Sequence, residues 1–237
     1  MTTDRNSFDA PKAGYWPLFG WVSFLFFVVT QVHAVLTSPA DRMMGHLQKI
    51  MYVHVPAAWV TFAAFGIVLV ASALFLWKED ERHDLMAASA AEVGAVMCAL
   101  TLILGMLWGR PTWGVWWSWD ARLTSTLVLF LIFVGYLALR SFVEDPQRRG
   151  QWSAAVGILG AINVPIVWMS VKWWRTLHQL QSDPRTLSPE YLRGLALNAL
   201  AFTLLTVFFI RRRYEAARYE RAAEHASQAA ALGGHNG

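Results

Sequence analysis

The sequence predicts an all-α protein, a polytopic membrane bundle of six transmembrane helices, on three observations. Only 15% of its 237 residues are charged, where a soluble domain carries roughly 25%. Six runs are long and apolar enough to cross a hydrocarbon core of about 30 Å, which takes about 20 helical residues. Short charged segments separate the runs, and none shows the alternation over about ten residues that marks a transmembrane β-barrel strand.

The first run, Leu18–Thr37, carries Trp21 and several Phe and is followed by no small-residue cleavage site, so it reads as a retained span and not a signal peptide. An outer loop over 38–52 leads into the second span, Val53–Trp77, and a tight charged turn, KEDERHD, leads out of it. The third span, Leu85–Trp108, is rich in small residues (Ala91, Gly94, Ala95, Ala99) that let helices approach closely. Cys98 belongs to that packing set. As the only cysteine it forms no internal disulfide, and the chain has no C-x-x-C-H haem-attachment motif. Glu92, inside the same span, reads first as a helix-pairing or snorkelling carboxylate and second as a functional one. Leu123–Leu139, Trp152–Val171 and Gly194–Ile210 complete the set, making residues 1–210 a single six-span membrane domain. In the loop over 172–193, Pro184 and Pro189 limit regular structure. Beyond Arg211 a helix is expected to leave the membrane and give way to an Ala-rich, Gly-ending segment, so 211–237 reads as a largely disordered cytoplasmic tail.

The net charge of +4 is spread over every loop, which argues against a nucleic-acid surface. With both termini placed in the cytoplasm, inner segments hold twelve Lys and Arg against eight outside, and Arg211–Arg213 follow the last span directly. That is the positive-inside pattern. No Walker A motif is present, so the chain hydrolyses no nucleotide by a P-loop mechanism.

Between the third and fourth spans the outer loop reads GRPTWGVWWSWDAR, Gly109–Arg122. It packs Trp113, Trp116, Trp117 and Trp119 into seven residues, more than interfacial anchoring requires. Pro111 suits the first turn of a short helix. On helical spacing Trp113, Trp116, Trp117 and Asp120 share one face. Stacked indoles suit a large, flat, mostly apolar ligand. Four of the seven histidines, His33, His46, His54 and His178, fall on or near the same side. Imidazoles beside such a platform suggest haem, whose iron takes axial histidine ligands. Spacing alone does not choose a pair among the four. Arg110, Arg122, Lys172 and Arg175 are cations available to the two propionates.

The segment WGVWWSWDARLTS, Trp113–Ser125, resembles the tryptophan-rich signature of the haem-handling proteins of cytochrome c maturation. With IMYVHVPAAW at Ile50–Trp59 and VKWWRTLHQ at Val171–Gln179, it resembles the haem exporter protein C family over nearly the whole chain except the tail. The resemblance implies axial ligation of haem b by His54 and His178. It implies a platform of Trp113, Trp116, Trp117, Trp119 and Asp120, with Arg122 as a propionate partner. It also implies presentation of haem at the periplasmic face of the bacterial inner membrane to a membrane-anchored periplasmic haem chaperone. The implied partners are an ABC-type ATPase, its membrane subunit and a very small single-span protein, with no catalysis by this chain. The rival reading is a b-type redox protein serving quinone. It would need histidines in the inner half of the spans, and the sequence has none there.

Overall fold

The computed structural model describes residues 14–178 and 187–233. Arg5, Lys12, Pro184 and Arg185 lie outside the described residues, as do 234–237 at the end of the tail. Six helices carry the fold: α1 (Trp16–Thr37), α2 (Met51–Lys78), α3 (Glu81–Trp113), α4 (Ala121–Phe142), α5 (Pro146–Trp173) and α6 (Pro189–Gly233). A 3₁₀ turn, His46–Ile50, precedes α2. All six are long and apolar enough to cross a membrane, and no strand occurs among the described residues.

Local sequence sets the helix starts. Asp80, Asp120 and Asp145 are the N-caps of α3, α4 and α5, each carboxylate accepting backbone N–H groups of the first turn. These donors have no partner within the helix, so a short acidic side chain is the favoured occupant. Pro146 follows its cap at the first helical position, where a missing N–H costs nothing.

Helix α2 is the hub, packing against α3, α5 and α6, while α1 leans mainly on α6. The Phe65 ring of α2 stacks on Phe133 of α4, with centroids 3.6 Å apart and planes 3° from parallel. That stack sits in the same core cluster as Ala64, Ala90 and Ala91, and α3 presents Gly94 beside Phe65 and Ala64. A Cβ at Gly94 would come within 2.6 Å of the Phe65 ring, and one at Gly150 of α5 within 2.5 Å of Phe75. Small residues here are what close helix approach requires in lipid, where packing replaces the hydrophobic effect as the associating force.

Charges collect at the end of the bundle opposite the tryptophan loop. Arg140 of α4 grips Asp84 of α3 with two bonds, 2.5 and 2.8 Å, and Asp84 is only 4% exposed. Glu92 of α3 accepts from Arg213 of α6 at 2.5 Å, so it is a helix-pairing carboxylate. Arg221, itself buried, pairs with Glu81 and Glu224. The sequence suggests a largely disordered tail over 211–237. Residues 211–233 continue α6 as one helix, whose arginines are neutralised by carboxylates on α3 and on its own next turn.

Candidate ligand site

One correction concerns the tryptophan loop. Pro111 does not open a short helix; it lies in the last turn of α3, which runs to Trp113. Gly114 then takes φ +80°, the left-handed conformation that closes a helix, and its N–H bonds the Arg110 carbonyl. Residues 114–120 are therefore not helical, and Trp113, Trp116, Trp117 and Asp120 do not form a continuous helical face. Glycine at 114 is the deciding residue, because it ends the 3.6-residue period after Trp113.

The turn sorts the four indoles. Trp113 and Trp117 face a cavity between α2, α3 and α4. Trp116 and Trp119 do not line it and are 53% and 76% exposed. Trp119 stays close to the site by packing edge-on against Trp117, with centroids 5.5 Å apart. The cavity has a volume of about 100 Å³ and is partly open to the surroundings.

Helical periodicity explains the walls. On α2, His54, Ala58, Thr61 and Phe62 share one face. On α3, Cys98, Thr101, Leu102, Gly105, Gly109 and Thr112 do the same, and α4 adds Arg122, Leu123 and Thr126. His178 enters from the segment after α5, its ring 6.3 Å from that of Trp113. The structure thus brings His54 and His178 to one cavity, and leaves His33 on the exposed flank of α1 and His46 on the 3₁₀ turn. Among Arg110, Arg122, Lys172 and Arg175, only Arg122 lines it. Arg110 instead donates to the Gly114 carbonyl at 2.7 Å.

Asp120 lies behind this wall. One carboxylate oxygen caps α4 through the N–H groups of Arg122 and Leu123, at 2.9 and 3.0 Å. The other accepts the Leu177 N–H at 3.3 Å, tying the residue before His178 to the tryptophan loop. Its partners are backbone amides, so it positions the site and does not contact the cavity.

Trp108 is a cavity residue that sequence reasoning assigned only to the end of a span. Its ring meets His54 edge-on, centroids 5.9 Å apart. Among the described residues, three buried ring nitrogens lining this space have no hydrogen-bond partner: His54 Nδ1, Trp108 Nε1 and Trp117 Nε1. Buried polar groups are normally satisfied, so three orphans converging on one hollow suit a ligand that carries a metal ion for the imidazole and acceptor groups for the indoles. Gly105 makes room, since a Cβ there would lie 3.3 Å from the His54 imidazole. No sequence signal singles out Trp108, whose part in the site comes from its contact with His54 on another helix.

Fold and site together define a six-helix membrane protein with a ligand cavity at one end, walled by indoles and closed by two imidazoles and a guanidinium. The sequence profile of the family "Heme exporter protein C" matches residues 3–229. This chain belongs to the haem exporter protein C family. It is 44% identical over 174 residues to the Heme exporter protein C of Bradyrhizobium diazoefficiens, covering 72% of this chain and 66% of that one, just under two thirds of the relative's length. Identity is 37% over 193 residues with the Paracoccus denitrificans protein of that name, covering 78% of this chain and 80% of the other. With the Escherichia coli K12 protein it is 36% over 170 residues, covering 71% and 69%.

Proposed function

We propose that this protein binds haem in the cavity between α2, α3 and α4 and hands it to a periplasmic partner during cytochrome c maturation. Membership of the haem exporter protein C family supports the haem-handling role. The observation that carries the assignment to this cavity is the meeting of His54 and His178, distant in sequence, across a hollow walled by Trp108, Trp113 and Trp117. Two imidazoles hold the iron of a haem b, the indoles cover the macrocycle and keep water from it, and Arg122 takes a propionate. The exposed Trp116 and Trp119 form the rim that a membrane-anchored haem chaperone meets. The positive-inside bias supports a topology with both termini in the cytoplasm and the cavity at the periplasmic face of the inner membrane. Membership of the family supports export driven by an ABC-type ATPase with its membrane subunit, accompanied by a very small single-span protein; the lack of a Walker A motif in this chain fits that division of labour. The protein acts by holding and presenting and catalyses no bond formation.

The test is an absorption spectrum of the purified protein after haem loading, with His54→Ala, His178→Ala, His33→Ala and His46→Ala compared. The expected result is a six-coordinate haem spectrum, lost in the first two variants and intact in the last two. Retention of that spectrum in both cavity variants would remove the assignment.

A further inference from the structure

One wall of the cavity is a single side chain thick. Phe62 lines it from α2, and the same residue lines a second hollow on the outside of the bundle. That hollow lies between α2 and α5, has a volume of about 530 Å³ open to the surroundings, and is bounded by Trp59, Phe62, Val164, Pro165, Trp168 and Met169. It holds no charged side chain, and Trp59 and Trp168 are partly exposed in it. In a six-span protein such a face looks onto lipid. The Phe62 and Trp168 rings close the division between the two spaces, meeting edge-on with centroids 6.3 Å apart.

The cavity side of the division is tied to the same stretch of α5. Arg122 Nη1 donates to the Val167 carbonyl at 2.7 Å and the Trp168 carbonyl at 3.3 Å. Among the residues lining either hollow, Arg122 is the only Lys or Arg. Pro165, one turn away, contributes no N–H to the α5 ladder, which leaves this part of the helix less constrained.

We propose that the groove between α2 and α5 is a membrane-side binding site for haem, and that haem passes from it into the cavity by swinging aside Phe62 and Trp168. The proposal rests on the reading of the cavity as the haem site and supplies its route. An iron porphyrin dissolved in a bilayer keeps its apolar macrocycle among the acyl chains and its carboxylates toward the headgroups. The groove offers that macrocycle an apolar, aromatic surface with no charge to desolvate. His54 lies eight residues from Phe62 on α2, about 12 Å along the helix, so the groove runs toward the middle of the membrane beneath the ligand pair. The carboxylates meet one cation on this path, Arg122. Its present bonds go to neutral carbonyls, and a carboxylate makes stronger, charge-assisted ones. Capture of a propionate therefore draws Arg122 off α5 and loosens the segment that carries Trp168. Binding of the cargo and opening of the wall are coupled through one guanidinium.

The experiment follows haem uptake by the full chain in lipid nanodiscs with iron protoporphyrin IX pre-dissolved in the bilayer, read as growth of the bis-imidazole spectrum. Val164→Trp and Met169→Trp each fill the groove from its lipid side without touching the cavity. Both are expected to slow uptake on the order of tenfold, as a blocked conformational step does, and to reach the wild-type end-point spectrum. Phe62→Ala removes the wall and is expected to speed uptake. Wild-type rates in both groove-filling variants would overturn the route and leave the haem site standing. A wild-type protein that never develops the bis-imidazole spectrum would take down the site itself, and the route with it.

Discussion

Asp120 shows how much one side chain decides here. Its two oxygens cap α4 and hold the amide of Leu177, so the loop that carries Trp117 and the segment that carries His178 share a single anchor. Asp120→Ala should lower stability by about 1 kcal/mol, the usual worth of an N-cap, and should reduce haem occupancy by letting His178 drift. Asp120→Asn, which still caps, should restore the melting temperature. Thermal unfolding and the haem-to-protein absorbance ratio check the two effects separately, and full occupancy in the alanine variant would contradict the anchoring role. Trp108 makes a different point, because its indole N–H is buried beside His54 without a partner among the described residues. Trp108→Phe keeps the ring and deletes the donor. Haem should then leave several-fold faster, matching a net hydrogen bond of about 1 kcal/mol, as timed by transfer to apomyoglobin. An unchanged off-rate would mean that the N–H does not meet the ligand. The tryptophan count and the carboxylate beside it were legible in the sequence. Which indoles face inward was not, because Gly114 turns the chain by a dihedral angle that no residue pattern displays.

At the scale of the helices, glycines tell apart contact and open space. A Cβ at Gly94 would collide with Phe65, whereas one at Gly66 meets nothing within 4 Å. Gly94→Val should therefore cost about 1–3 kcal/mol through overpacking of the Phe65–Phe133 stack. Gly66→Ala should be neutral or stabilising by several tenths of a kcal/mol, since alanine is the better helix former. Melting temperatures in detergent decide it, and equal losses at the two positions would refute the close-approach argument. The small-residue run of α3 announced tight packing in advance. Its partner, the aromatic face of α2, came only with the structure, because a helix in lipid is apolar on every side and carries no stripe to aim it.

The molecule as a whole has a ligand cavity at one end and an ionic clasp at the other. Asp84 and Arg140 form the most enclosed part of that clasp. Arg140→Leu leaves a buried carboxylate without its partner and should destabilise the protein by about 3–5 kcal/mol. The double variant Asp84→Leu with Arg140→Leu should recover most of that, because removing both charges removes the desolvation penalty as well. A double variant no more stable than the single would show that the pair contributes more than mutual neutralisation. The continuation of α6 past Arg213 belongs to the same clasp. Read alone, the polar tail looked unable to hold itself, because its partners Glu92 and Glu81 stand on a helix more than a hundred residues earlier.

What the sequence determined by itself was the solvent and the elements. A membrane core accepts helices with internally bonded backbones and little else, so the number of long apolar runs is nearly the number of helices. It also concentrated indoles, imidazoles and cations at one end of the chain's topology. The tertiary structure decided which of them meet. His54 and His178, 124 positions apart in sequence, share a cavity while His33 and His46 stay outside it. Helices α2, α3 and α4 converge through side-chain packing, and packing depends on the shape of faces that composition does not record.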